Sequence, residues 1–129
     1  MKIKKELMEF MGTEQYHKLG MMSNLISTDG ITFLMEKAKC FWIHDIIESV
    51  QGLPKVKEYK NFIVWKIVKD KKTGGAIVSG YWDCEDDGTY SPSKRVYNQR
   101  VTYTDFPFDD LGDYEFYQKG DVLLLKGEY

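Results

Sequence analysis

Cysteine, proline and long apolar runs are scarce in this chain of 129 residues, which contains two cysteines and three prolines. Cys40 and Cys84 are too few for a disulfide framework or for a four-thiolate zinc site. No apolar run approaches the roughly 18 residues that span a bilayer, and the charged start MKIKKELMEF does not fit a signal peptide. We therefore predict a cytoplasmic protein that has no membrane segment and needs no metal, disulfide or other cofactor.

Length and composition favour one folded domain. A second hydrophobic core would need roughly another 100 residues. Hydrophobic residues make up 43% of the chain and aromatic residues 15%, which argues against a disordered protein. We expect a single domain over residues 1–129, with a helical part at 1–54 and an antiparallel sheet part at 62–129.

Apolar spacing predicts three helices in the helical part. An apolar repeat before Gly12 indicates a first short helix, and a second is expected over 14–19. The strongest signal follows Thr28, the expected N-cap, and ends at Gly52. Its apolar stripe consists of Ile31, Leu34, Met35, Ala38, Trp42 and Ile46. We predict one long central helix there, although Gly30 in its first turn costs about 1 kcal/mol relative to alanine.

From residue 62 the sequence takes on the β-branched and aromatic content of strands. The predicted strands cover 62–68, 76–84, 94–106 and 121–127, with turn sequences such as DKKTGG and EDDG between them. Consecutive strands joined by short turns form an antiparallel meander. We therefore predict an α+β fold in which the long central helix packs on a four-stranded antiparallel sheet.

The net charge of −2 conceals two halves of opposite sign. Residues 1–81 carry 13 Lys and Arg against 9 Asp and Glu, whereas residues 82–129 carry 5 against 11. The acids of the second half collect in two loop-like segments, at 83–87 and at 105–115. Aspartate favours turns, so solvation of loops is the simpler explanation. Alternatively, the acids repel nucleic acid and attract a basic protein surface.

Two residue pairs have the spacing of metal ligands or catalytic groups. Glu14 and His17 are three residues apart, the spacing of carboxylate-bridged metal sites on a helix. Cys40 and His44 are four apart, which permits a thiolate–imidazolium pair. No second Glu-x-x-His occurs, and Cys40 is expected in the middle of a helix among apolar neighbours. A surface glutamate, a half-buried histidine and a packed thiol are the simpler interpretations.

Tyrosines lie on both sides of the first acidic segment. Tyr81 and Tyr90 could stack on bases, as aromatic rings do in single-strand binders. A stacking platform needs a basic surround, however, and Asp83 and Glu85 to Asp87 occupy that place. The sequence therefore argues against direct nucleic-acid binding at this position and favours a protein interface.

Several different short motifs are distributed along the chain. They are Phe10-x-Gly12-Thr13-Glu14-Gln15-Tyr16, Thr28-Asp29-Gly30, Trp42-x-x-Asp45 and Thr104-Asp105-Phe106-Pro107. With these motifs the chain resembles a domain-of-unknown-function family of small proteins found in bacteria, their phages and plasmids. The resemblance implies a bacterial or mobile-element origin and no particular reaction.

From its position beside the apolar stripe, Asp45 is expected to accept hydrogen bonds from an indole or from backbone amides.

The first functional hypothesis is a non-catalytic binding protein. We expect an accessory protein of a phage or similar element that blocks a host defence nuclease, such as a CRISPR effector, by occupying its basic nucleic-acid channel. The expected partner-binding residues are Tyr81, Asp83, Glu85, Asp86, Asp87, Tyr90, Phe108, Asp109 and Asp110. This hypothesis requires the two acidic segments to form one continuous surface.

Two alternatives stay open. A small hydrolase or metal enzyme would use Cys40, His44, Glu14 and His17, whose residue types and spacing are suitable. A nucleic-acid-binding module would use lysines of the basic N-terminal half as phosphate contacts. These are Lys2, Lys4, Lys5, Lys55, Lys57 and Lys60. The sequence also leaves open a homodimer in which the sheets pair edge to edge.

Overall fold

The computed structural model describes residues 2–129, which form five helices and seven strands. The helices are α1 (Lys2–Leu7), α2 (Asp29–Lys37), α3 (Phe41–Ser49), α4 (Pro54–Tyr59) and α5 (Phe108–Leu111). The strands are β1 (Tyr16–His17), β2 (Ile26–Thr28), β3 (Ile63–Lys69), β4 (Ala76–Tyr81), β5 (Arg95–Val101), β6 (Tyr114–Lys119) and β7 (Val122–Leu124). The predicted α+β class is confirmed.

All seven strands join in one sheet, in the order β1-β2-β7-β6-β3-β4-β5. Neighbours are antiparallel except β2 and β7, which run parallel. The predicted four-stranded meander is therefore wrong: β3, β4, β5 and β7 overlap the predicted strands, whereas β1, β2 and β6 are additional. β1 and β2 are too short to produce a visible alternation. They lie within the predicted helical part and bring it into the sheet.

The predicted long central helix is in fact two helices, α2 and α3, of nine residues each. They are separated at Lys39, which adopts a left-handed φ of 53°. The apolar stripe does not reveal this break, because Ala38 and Cys40 on either side of it are both buried and continue the pattern. None of the helices in residues 2–129 is long and apolar enough to cross a membrane.

The sequence predicts an N-cap at Thr28 and a short helix over 14–19, and the structure contains only the first of these. Thr28 is the N-cap of α2 as predicted, and its hydroxyl accepts the N–H of Ile31 at 3.3 Å. The predicted helix over 14–19 is wrong, because this segment is extended and β1 pairs with β2. The hydroxyl of Thr13 donates to the carbonyl of Gln15 at 2.7 Å instead of capping a helix.

The core lies between the helices and one face of the sheet. Ile63, Trp65 and Ile67 alternate along β3 and are 0% exposed, packed with buried residues of α2 and α3. The indole of Trp65 donates to Oε1 of Gln118 at 3.1 Å. Asp45, which was expected to accept such a bond, has a side chain that is 76% exposed, because it lies on the solvent side of α3.

Candidate functional site

The sheet face that points away from the core, termed the outer face, combines buried residues such as Val64 and Ser79 with half-buried ones. Its central row crosses β4, β3 and β6, where Val64 pairs with Tyr81 on one side and with Tyr117 on the other. The next row contains Lys66 and Glu115, whose side chains are 24% and 22% exposed, with Nζ 3.7 Å from Oε2. Half-buried long side chains such as these offer both apolar surface and polar ends to a partner.

Two predicted partner-binding residues, Tyr81 and Tyr90, meet on the outer face as one tyrosine pair. Their ring centroids are 5.0 Å apart, with the planes inclined at 43°. Nζ of Lys66 lies 4.5 Å from the ring centroid of Tyr90. Burial raises the pKa of Tyr90 to about 12, and the negative charge of Glu115 acts in the same direction. The Tyr90 phenol is therefore neutral at pH 7 and keeps its proton for donation.

The loop after β4, termed the acidic loop (residues 83–89), lies next to the tyrosine pair. The N–H of Glu85 donates to the carbonyl of Thr89 at 2.7 Å and closes the loop. The carboxylate of Asp87 accepts the N–H and the hydroxyl of Thr89, and these bonds lower the pKa of Asp87. Exposed side chains in this loop include those of Asp83, Asp86 and Asp87. The loop therefore presents three charged carboxylates to solvent.

Glu85, a fourth predicted member, has partners within its own chain, although its side chain is 39% exposed. Its carboxylate accepts the hydroxyl of Ser91 and lies 3.6 Å from Nζ of Lys94. An acid with two partners in its own chain has less charge to offer another protein. Glu85 therefore supports the shape of the acidic loop, while its neighbours supply the exposed charge.

Phe108, Asp109 and Asp110 do not join this surface. They lie in α5, after the end of β5 at which Val101 pairs with Ala76, whereas the acidic loop follows the opposite end of β4. A strand of six residues separates these ends by about 20 Å. Asp110 is also engaged, since its carboxylate accepts the N–H groups of Ile3 and Lys4 at 3.2 and 3.3 Å. The continuous acidic surface that the sequence hypothesis requires is thus divided into two.

Cys40 and His44 are both buried, and within the described residues no hydrogen bond joins them as the alternative pair would require. Cys40 is at the N-cap position of α3 rather than in mid-helix, and burial raises the pKa of its thiol to about 12. Its Sγ lies 3.7 Å from the carbonyl of Leu34. His44 is 1% exposed, and burial lowers its pKa. Neither residue is in the charged state that a thiolate–imidazolium pair requires.

Glu14 and His17 do not share a helix face, because no helix forms around them. Nε2 of His17 lies 2.8 Å from Oδ1 of Asp29, while the exposed Glu14 contributes its backbone N–H to Oδ2 of Asp29 at 3.0 Å. These bonds lower the pKa of Asp29. Within residues 2–129, no group of three His, Cys, Asp or Glu side chains is placed to hold a metal ion.

A hydrogen-bond network that residue spacing does not predict joins Glu128 to two of the sequence motifs, at Thr13 and at Thr28–Gly30, at the N-terminus of α2. The carboxylate of Glu128 accepts the hydroxyl of Thr28 at 2.6 Å and the N–H of Gly30 at 3.1 Å. On the other side, the hydroxyl of Thr13 accepts the N–H of Asp29 at 2.9 Å. Glu128 is about 100 residues from its partners, so no local pattern could connect them. The sequence signal for this network is that Thr13 and Thr28–Gly30 lie in two of the motifs.

The lysines of the nucleic-acid hypothesis are spread over separate elements. Lys4 and Lys5 lie on α1, Lys55 and Lys57 on α4, and Lys60 forms an ion pair of 2.9 Å with Asp121. The side chain of Lys2 lies outside the described residues. The described lysines thus lie on two helices and on the residue that follows α4.

Two grooves lie elsewhere in the described chain. One of about 470 Å³ is bordered by Leu7, Phe10, Tyr114 and Leu125, and one of about 420 Å³ by Glu48 and its neighbours. Neither groove contains a predicted partner-binding residue. The tyrosine pair and the acidic loop border neither groove, and their half-buried and exposed side chains form a surface that suits a protein partner better than a small molecule.

Comparison with known proteins places the chain in a family without an assigned activity. A model of the family DUF6876, described as a family of unknown function, matches residues 1–129. Neither the curated proteins nor the solved structures gave a match. The resemblance to a domain-of-unknown-function family thus extends over the full length of the sequence.

Proposed function

This chain belongs to DUF6876, a family of unknown function, and we propose that it is a non-catalytic binding protein. Its docking surface consists of the tyrosine pair and the acidic loop. Phe108, Asp109 and Asp110 are left out, because they lie at the other end of the sheet.

One observation carries this proposal: an aromatic pair and three exposed aspartates lie side by side on an open surface. Protein interfaces combine aromatic anchors, which are desolvated on binding, with charges at the rim that steer the partner. Tyr81 and Tyr90 are half-buried in the free chain, so they lose little conformational freedom on binding.

The charges define the chemistry of the partner. Asp83, Asp86 and Asp87 are exposed, and residues 82–129 together carry 11 acids against 5 bases. A basic protein surface complements them, and the nucleic-acid channel of a nuclease is such a surface. We extend the proposal to a cytoplasmic inhibitor, encoded by a phage or another mobile element, that occupies the channel of a host defence nuclease of the CRISPR-effector type.

A panel of purified defence nucleases tests this function. We expect the protein to inhibit DNA cleavage by one of them in proportion to its molar ratio. The double variant Asp83→Lys/Asp86→Lys should lose the inhibition. A matched control, Asp105→Lys/Asp109→Lys, changes the net charge equally at exposed positions beyond the other end of β5 and should retain it. Equal loss of inhibition in both variants would reject the acidic loop as the docking surface.

A further inference from the structure

The two edges of the sheet differ in a way that points to a second interaction surface. β1, at one edge, has two residues, whereas β5, at the other, has seven. Folded proteins protect sheet edges by keeping edge strands short, bulged or charged, because unpaired backbone groups recruit other strands. β1 is protected by its shortness. β5 is longer, and a bulge where Tyr81 pairs with Arg95 and contacts with α4 protect it only in part, because Asn98 and Arg100 stay exposed.

The hydrogen-bond alternation of the sheet shows which groups of β5 point outward. The N–H of Asp70 donates to the carbonyl of Gly75 at 2.9 Å, so alternate residues after Gly75 bond to β3 and those between them bond to β5. The residues of β5 that bond to β4 are therefore Tyr97, Gln99 and Val101. Asn98 and Arg100 direct their backbone groups away from the sheet. Within residues 2–129, the backbone of β5 has hydrogen-bond partners in β4 alone.

Charge protects this edge only weakly. Nε of Arg100 lies 2.9 Å from Oδ2 of Asp70, a carboxylate that is 3% exposed, so the charge of Arg100 is balanced within the chain. Asn98, between Arg100 and the start of the strand, is exposed and neutral. No proline interrupts Arg95–Val101. The middle of β5 is therefore open to pairing with another strand.

We propose that β5 pairs antiparallel with β5 of a second copy of this chain, with Asn98 on the two-fold axis. In this register Asn98 faces its own copy, and Tyr97 of each chain faces Gln99 of the other. The side chains of Tyr97 and Gln99 are complementary, since the hydroxyl of Tyr97 already donates to Oε1 of Gln99 within one chain at 2.8 Å. The outward N–H and C=O groups of Asn98 and Arg100 are satisfied, and both long edges disappear.

This inference is independent of the proposed function, because it rests on backbone groups outside the docking surface. The dimer would carry two acidic loops, one at each end of the joined strands, and so could engage two partner molecules. Pairing of one seven-residue strand buries a small interface, so we expect dissociation on dilution into the low micromolar range rather than an obligate dimer.

Analytical ultracentrifugation of the full chain tests the pairing with two variants at one position. Asn98→Pro removes an outward N–H and keeps the backbone bonds to β4, and proline is tolerated where an edge strand faces solvent. It also loses the bond that Oδ1 of Asn98 accepts from the hydroxyl of Ser79, and the control variant Asn98→Thr loses this side-chain bond too. Asn98→Thr keeps the N–H and favours strands. At about 200 µM we expect dimers for the wild type and Asn98→Thr, and monomers for Asn98→Pro. A monomeric wild type, or a dimeric Asn98→Pro protein, would overturn the proposal.

A cysteine at the two-fold axis gives an answer that does not depend on the folding of the proline variant. In a Cys84→Ser background, Asn98→Cys would place two thiols in facing positions with Cα atoms about 5.5 Å apart, within disulfide range. Oxidised glutathione should convert this variant to a covalent dimer. Ser49→Cys, at an exposed position on α3, is the matched control and should remain monomeric. Equal cross-linking of both variants, or of neither, would contradict the pairing of β5.

Discussion

Gly30 shows how a single residue can be explained only by a contact distant in sequence. On propensity alone this glycine weakens the first turn of α2. A Cβ added to it would lie 2.5 Å from both Oε1 of Glu128 and Cδ1 of Leu125. The low helix propensity of Gly30 can be read from the sequence, but the reason for a glycine here cannot. The two residues that need the space, Leu125 and Glu128, lie near the other end of the chain.

Gly30→Ala should therefore destabilise the protein, although alanine is the better helix former. We expect a loss of about 1–3 kcal/mol in the free energy of unfolding, since the methyl group must displace Glu128 or Leu125. Urea denaturation measures this. Gly52→Ala is the control, because nothing lies within 4 Å of its added Cβ. A Gly30→Ala protein as stable as the control would show that the space at Gly30 is not needed.

His44 links burial to pH dependence. It is 1% exposed, and neither ring nitrogen has a hydrogen-bond partner within residues 2–129. The acids near it are Glu48 and Asp45, whose Oδ1 lies 3.9 Å from Nδ1 of His44. Burial lowers its pKa from 6.5 despite these acids. The unfolded chain thus binds the proton more readily, so the stability that the wild type has above the unfolded pKa is lost as pH falls below it.

We predict that lowering the pH from 7.5 to 5.5 costs the wild type about 1 kcal/mol more than it costs His44→Leu. Urea unfolding at the two pH values gives both free energies. His17 is present in both proteins, so its contribution cancels in the comparison. Parallel pH profiles for the two proteins would mean that His44 binds its proton equally well in the folded and unfolded states.

At the scale of elements, the sequence predicts structure where a pattern is long and local. β3 and β4 are predicted closely because β-branched runs and a turn signal delimit them. β6 is missed because Glu115 and Gln118 interrupt its apolar content, although Gln118 is buried as the acceptor of the Trp65 indole. The division of the central helix is missed because Lys39 carries no residue-type signal for a left-handed conformation.

The division at Lys39 predicts an unusual response to glycine. Lys39→Gly should raise the free energy of unfolding by about 1 kcal/mol, because glycine adopts a φ of 53° without the steric cost that a lysine side chain carries. Glu36→Gly, three residues earlier within α2, should lower it by about 1 kcal/mol. Thermal unfolding followed by circular dichroism compares the two. Destabilisation by both substitutions would support a continuous helix instead.

On the scale of the whole molecule, a segment near each end of the chain is hydrogen-bonded to the N-terminus of α2. Glu128 binds the start of α2 and also accepts the N–H of Leu125 at 2.9 Å, while Thr13 and His17 hold the N-terminal segment to Asp29.

The candidate site could be predicted in part, because residues that are close in sequence, such as Tyr81 and the acidic loop, also lie close together in the structure. Whether 83–87 and 109–110 meet depends on the topology, which spacing does not encode.

Glu128→Gln should weaken the hydrogen bonds that join the C-terminal segment to α2, and so lower the free energy of unfolding. The carboxylate accepts two N–H groups and one hydroxyl, and an amide replaces one acceptor oxygen with a donor, so we expect a loss of about 1–3 kcal/mol. Hydrogen exchange should accelerate at the amides of Gly30 and Leu125. Glu58→Gln on the exposed side of α4 is the control. Unchanged exchange at both amides would show that Glu128 does not hold the two segments together.

The dissociation constant for an inhibited nuclease tests the docking surface most directly. Measured with matched double variants at one salt concentration, it should rise at least tenfold for Asp83→Lys/Asp86→Lys and by less than about threefold for Asp105→Lys/Asp109→Lys. It should also rise steeply with added salt for the wild type, since opposite charges meet at the interface. A constant unaffected by the charge reversal in the acidic loop would contradict the account.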